Sequence, residues 1–275
     1  VAYGSAIYNN GKIGTINGDF FGNTIRMSAA YSSDPITGAI HNEGTIDSLT
    51  GKFANNTMTY KVYSYGVWTR TNNIAIYNKG TINSANVELY GDKLVNDGVI
   101  NNLTLDGYVG NSYSIVLMLE NLENGIIKNA NIRTYDNAQV INKGDIEYIK
   151  GDFNTDLDSD TAGFPFYNYG HVGTFELTTK NGIRNQGTID DLIIVSADNS
   201  YSQYYGGVVS NSGTIGNITG DFSSAAASTI ACIISILFTL KAPIAKCSFI
   251  DFSNISFVVT NGIILPPNFI CFILS

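Results

Sequence analysis

The sequence predicts an all-β fold: a β-solenoid, of the parallel β-helix type, with about nine rungs. Three observations predict it. A seven-residue pattern, apolar-x-Asn-x-Gly-x-apolar, recurs from Ile7 to Ile215. Apolar residues on its flanks stand two apart, the spacing that puts side chains on one face of a strand. The segments between are short and rich in Asn and Gly, which disfavours helix.

The turn comes first. Ile7-Tyr8-Asn9-Asn10-Gly11-Lys12-Ile13 is followed by matching units around Asn42/Gly44, Asn78/Gly80, Asn96/Gly98, Asn142/Gly144, Asn168/Gly170, Asn185/Gly187 and Asn211/Gly213. A ninth, degenerate unit surrounds Gly125, with Glu123 in the Asn place. Gly supplies the positive φ that such a turn requires. Asn tolerates the left-handed region and bonds its own local backbone. The strand before the turn carries an apolar residue four before the Gly, such as Ile40, Ile76 or Phe166. The strand after it begins with Ile46, Ile82, Ile100, Ile127, Ile146, Val172, Ile189 or Ile215, which are expected to form one buried stack. Five residues past the Gly stand Ile16, Leu49, Ala85, Leu103 and their equivalents; seven past it comes a Gly or an aliphatic. Where it is Gly, Phe follows two later, as in Gly18-Asp19-Phe20 and Gly151-Asp152-Phe153.

One strand-turn-strand unit cannot bury its own apolar face, but stacked units make a continuous core. Gly-to-Gly spacings of 17 to 36 residues suit two or three strands per coil, with length variation taken up at one corner. Equivalent Asn side chains on adjacent coils then lie about 4.8 Å apart, close enough to form an amide stack. The alternatives are a β-propeller, because some spacings pair into blade-sized sums, and a β-sandwich. The regularity of each half-unit favours the solenoid.

Composition bounds the function. The chain of 275 residues has a net charge of −8. That acidic balance argues against a nucleic-acid binder, which needs a basic face to neutralise phosphates, so no nucleic-acid partner is expected. Residues 1–224 contain no cysteine, in keeping with an exported protein that avoids thiols needing oxidative management. The chain begins Val1-Ala2-Tyr3 with its first repeat already under way, as in a fragment of a longer protein.

The repeated Asn-x-Gly-x-Ile turns, with Gly18-Asp19-Phe20, Gly151-Asp152-Phe153 and Gly220-Asp221-Phe222, resemble those of bacterial autotransporter passenger domains and related large surface adhesins. The resemblance covers about residues 1–224. It implies export and display outside the outer membrane, an extracellular location, and a structural or adhesive rod without catalysis. The implied partner is a glycan or protein on a host or neighbouring cell. A C-terminal barrel translocator is implied for the full-length protein. Residues 225–275 depart there, being too short for such a barrel.

That tail reads as a second unit of doubtful origin. All three cysteines lie in it, and its first sixteen residues, 225–240, are uncharged and largely apolar. A membrane anchor, a cap on the last rung and a frameshifted gene end are the three readings.

No catalytic motif, cofactor site or metal site is expected. His41 and His171 stand alone in separate turn units and are expected to face solvent. Asp156, Asp158 and Asp160 alternate like calcium ligands, but Thr161 and Tyr167 stand where an EF-hand loop needs Gly and Glu. A secreted carbohydrate-active β-helix enzyme is the alternative function. Asp152, Asp190 and Asp191 are its candidate carboxylates. The strongest binding candidates are Tyr63, Tyr65 and Trp68, in an insert whose alternation changes phase near Tyr63 as in a hairpin. Exposed aromatics there can stack on sugar rings or anchor a protein; otherwise they cover the side of the solenoid.

Overall fold

A computed structural model of the protein describes residues 5–30, 37–63, 67–109, 115–154, 164–180, 182–197 and 208–220. The described residues form 22 strands and no helix. Each coil begins with a short strand: Ile7–Asn9 (β1), Ile40–Asn42 (β5), Ile74–Asn78 (β9), Lys93–Asn96 (β11), Val116–Asn121 (β13), Ala138–Asn142 (β15), Phe166–Asn168 (β17), Ile183–Asn185 (β19) and Val209–Asn211 (β21). Across the Asn-x-Gly turn follows a longer one: Lys12–Asn17 (β2), Thr45–Ala54 (β6), Thr81–Tyr90 (β10), Val99–Tyr108 (β12), Ile126–Tyr135 (β14), Asp145–Asn154 (β16), His171–Thr179 (β18), Thr188–Ala197 (β20) and Thr214–Gly220 (β22). Phe20–Phe21 (β3) adds to the edge of the second set.

Each set forms one sheet in chain order, parallel throughout. Nine coils therefore stack as a parallel β-helix. The blades of a propeller and the layers of a sandwich are antiparallel, so both alternatives fall. The register puts like on like: Asn9 beside Asn42, Asn42 beside Asn78, and Ile82 between Ile46 and Ile100.

The long strand bends. In β10, Ile82 and Ala85 are both buried while Asn83 and Ser84 point outward, a spacing of three where a straight strand gives two. The pairing also skips Asn83 and Asn101. One long strand thus supplies two sides of the coil. The core fills the inside: Ile46, Ile82, Ile100, Ile127, Ile146, Val172, Ile189 and Ile215 are all 0% exposed. The paired Gly and Phe of Gly151-Asp152-Phe153 have a packing reason. A methyl on Gly151 would enter the Phe153 ring, so the small residue makes room for the large one.

The expected ninth turn needs correction. Asn121, not Glu123, occupies the Asn place: β13 pairs Asn121 with Asn96 and with Asn142. Two extra residues loop out before Gly125, whose N–H bonds the Leu122 carbonyl.

The role of the repeat glycine also differs. None of the nine lies in the positive-φ region; the described glycines that do are Gly22, Gly91, Gly182 and Gly220. The repeat glycine is small because the coils touch there. A methyl on Gly44, Gly80, Gly98, Gly170, Gly187 or Gly213 would collide with the carbonyl oxygen of the glycine one coil below. That oxygen accepts the next inter-coil hydrogen bond, as when Thr81 N–H bonds Gly44 at 2.8 Å.

A third sheet departs from the first coils. Thr24–Ala30 (β4) pairs parallel with Thr57–Tyr63 (β7), which pairs antiparallel with Val67–Asn72 (β8). Ile25 and Met58 at its base pack with Ile74, Tyr77 and Val95 on the outer face of the short-strand sheet.

Candidate functional site

Inside the solenoid, a row of asparagines satisfies itself. Nine amides, Asn9, Asn42, Asn78, Asn96, Asn121, Asn142, Asn168, Asn185 and Asn211, make an unbroken ladder. Each Nδ2 donates to the next Oδ1 at 2.7–2.9 Å. Its other hydrogen is shared between local carbonyls, as when Asn142 Nδ2 reaches the Gly144 oxygen at 3.3 Å and the His171 oxygen at 3.0 Å. Such a buried polar row is stable because its members are satisfied.

A second, shorter ladder stands at the far corner: Asn23 donates to Asn56, and Asn56 to the carboxylate of Asp92. Gly22, Asn55 and Gly91, the residues just before them, take φ of 65°, 56° and 74°. Asp92 is fully buried, and burial raises its pKa against the opposing bonds from Asn56 and Asn55.

Function must therefore be sought on the outside, where the tenth residue after each repeat glycine makes a column. In chain order it reads Phe21, Ala54, Tyr90, Tyr108, Tyr135 and Asn154, each beside the next in register or by ring stacking. The tyrosine rings lie face to face: Tyr90 on Tyr108 at 5.0 Å and 11°, Tyr108 on Tyr135 at 4.7 Å and 4°. A charged column flanks them two residues earlier. Lys52 pairs with Glu88 at 3.0 Å and Arg133 with Asp106 at 3.3 Å. The Tyr90 hydroxyl donates to Glu88 at 2.7 Å; that bond, with Lys52, holds the Glu88 carboxyl below its ordinary pKa, and the same bond raises the pKa of Tyr90 against the opposing charge of Lys52. Sequence reasoning passed over this column. Its signal was an aromatic ten residues after Gly11, Gly80, Gly98 and Gly125.

The expected aromatic insert is a hairpin, with Tyr63 opposite Val67 and Val62 opposite Trp68. The side chains of Tyr63 and Trp68, and Tyr65 altogether, lie outside the described residues. So do the acidic run 156–160 and the tail 225–275. No helix among the described residues is long and apolar enough to cross a membrane.

The two histidines part company. His171 is half-exposed on the outer surface, facing solvent as expected, and bridges two carboxylates: Nδ1 meets Asp145 at 2.7 Å and Nε2 meets Asp190 at 3.0 Å. Those bonds, Asp145 first, raise its pKa. His41 is buried, contrary to expectation. The Tyr8 and Tyr77 rings meet it edge-on at 5.2 and 4.9 Å, and Thr37 bonds its Nδ1 at 3.1 Å. Burial lowers its pKa, outweighing Glu43.

The candidate carboxylates do not converge. Asp190 is held by His171, and Asp191 accepts from Asn217 at 2.7 Å. Asp152 lies two coils away and four positions further along the strand, about 16 Å by strand geometry. Among the described residues no three His, Cys, Asp or Glu side chains are grouped to hold a metal ion.

Fold and surface together define a nine-coil parallel β-helix with an amide-laddered interior and an aromatic outer column. The chain matches no known family model, no curated protein and no solved structure.

Proposed function

We propose that this chain is part of a surface-displayed rod of the bacterial autotransporter kind, structural and adhesive rather than catalytic, working outside the cell. The observation that carries the reading is the contrast between a sealed interior and a patterned exterior. Polar groups inside are spent on each other along the Asn9–Asn211 ladder, while aromatic rings stand in register outside. A rod of this build presents repeated contacts along its length. Its partner on this reading is a glycan or protein of another cell, and a barrel translocator belongs to the full-length protein.

The test is binding of the purified full chain to cell monolayers, some treated beforehand with periodate and some with protease. Saturable binding is expected, with the treatment that abolishes it naming the partner class. Incubation with polysaccharides is expected to release no reducing ends or unsaturated products. Steady release of either would favour the carbohydrate-active enzyme.

A further inference from the structure

The aromatic column has one gap, and the geometry points to that gap as a binding subsite for a single pyranose ring of a glycan. The inference rests on the adhesive reading and gives it a site. Ala54 stands in the column between Phe21 and Tyr90. Its side chain is too short to cover either ring. One face of Tyr90 is taken by Tyr108 at 5.0 Å; the other looks over Ala54, and the residue is 38% exposed. Phe21 is 56% exposed and points outward, because its neighbour Phe20 points inward and stacks on Phe53 at 4.9 Å and 4°.

The width selects one ring. Phe21 and Tyr90 are separated by two strand spacings, about 9.6 Å. Van der Waals contact on both faces of a guest takes about 3.5–4.0 Å each. A puckered sugar ring fills the remainder; two stacked rings do not fit. The axial C–H groups of a pyranose complement the electron-rich ring faces.

The rim favours hydroxyl groups over anions. Glu88 receives both Tyr90 and Lys52 on Oε2, so Oε1 retains acceptor capacity for a hydroxyl. Asp19 lies in the same charged column and takes the Lys52 N–H on Oδ1 at 3.2 Å. Two carboxylates beside one paired lysine repel phosphate and sulfate. The Tyr90 wall is preorganised: its ring is fixed by Tyr108 and its hydroxyl by Glu88, so binding orders little there.

The test uses the full chain in affinity electrophoresis through gels holding hydroxyethyl cellulose, glycogen or glycol chitin, with titration of cellopentaose, maltopentaose and N-acetylated chitopentaose. At least one neutral or N-acetylated glycan is expected to retard the protein. Ala54→Tyr completes the stack and is expected to abolish retardation while the melting temperature holds or rises. Phe21→Ser removes an exposed wall and should weaken binding at least tenfold. Tyr135→Ala, two coils above Tyr90, should leave it unchanged. Retention of full binding by both Ala54→Tyr and Phe21→Ser overturns the subsite while leaving an adhesive rod. Failure of every glycan to bind also overturns it; cell binding then lost to protease but not periodate assigns the rod to a protein partner. Failure of cell binding as well would overturn the adhesive reading itself.

Discussion

The two corners of the coil solve the same problem in different ways. At the Asn-x-Gly corner the ladder crosses all nine coils and stays uncharged. Its glycines are set by contact, since a side chain would strike the coil below. At the far corner the ladder has three members, ends on the buried carboxylate of Asp92, and is preceded by residues at positive φ with open space around Gly22 and Gly91. The first corner has nearly constant length from coil to coil; the second is where chain lengths vary. A hydrogen-bonded row needs equivalent atoms at every level, so it persists only where the chain returns in register. Loops of unequal length break that register and free the second corner to carry inserts such as the β7–β8 hairpin.

The largest effect should come from inside both corners. Ile146 is 0% exposed between Ile127 and Val172. Ile146→Asp buries an unpaired charge and should cost about 4 kcal/mol or more, read by denaturant unfolding. Unchanged stability would break the stacked-core account that both corners depend on.

One substitution placed at each corner separates contact from conformation. Gly80→Ala puts a methyl onto the Gly44 carbonyl oxygen and should cost about 3 kcal/mol, because backbone must move. Gly91→Ala meets nothing within 4 Å and carries only the left-handed φ of 74°, so about 1 kcal/mol is expected. Gly91→Asn should cost less still, since Asn visits that region; Gly80→Asn should be worse than Gly80→Ala. Equal costs at the two sites would erase the distinction.

The ladders can be compared in the same way. Asn142→Ala in mid-row strands the Asn121 amide and the Asn168 carbonyl, both buried, and should cost about 3 kcal/mol. Asn23→Ala removes a half-buried end member, and about 1 kcal/mol is expected.

The smallest effects are electrostatic and have opposite signs. His171 has a raised folded pKa, so its contribution is complete below the unfolded value near 6.5 and disappears as pH rises through the folded value. His171→Gln should lower the melting temperature slightly at pH 5.5 and leave it unchanged at pH 9. The effect is small because the three groups are solvent-exposed and screened. His41 has a lowered folded pKa, so the unfolded chain takes up its proton first and stability falls as pH drops through about 6.5. His41→Phe should reduce that acid sensitivity. Parallel pH profiles for both variants would contradict these environments.

The glycan subsite sharpens the comparison on the outside of the molecule. Inside, every coil repeats the ladder Asn and keeps an apolar residue in each core column; outside, a single departure such as Ala54 among aromatics creates a place for something else.

The sequence by itself determined the repeat, the strand-turn-strand unit, the buried isoleucine column and the amide row, because local periodicity and stacking leave few other ways to bury those residues. It misassigned the turn at Gly125: Leu119-Glu120-Asn121 matches Leu94-Val95-Asn96, but two inserted residues hid the match. It also explained the repeat glycines by backbone freedom, when inter-coil contact is what excludes a side chain. Only the tertiary structure decided which outward residues become neighbours. Tyr90 and Tyr108 are 18 positions apart and Tyr108 and Tyr135 are 27 apart, yet coil stacking brings their rings face to face. His41 looked like a surface turn residue and is buried, because packing of Tyr8 and Tyr77 around it depends on adjacent coils that unequal loops separate in the chain. Short-range patterning is written in consecutive residues, whereas the outer columns exist only after every loop has closed and fixed the register between coils.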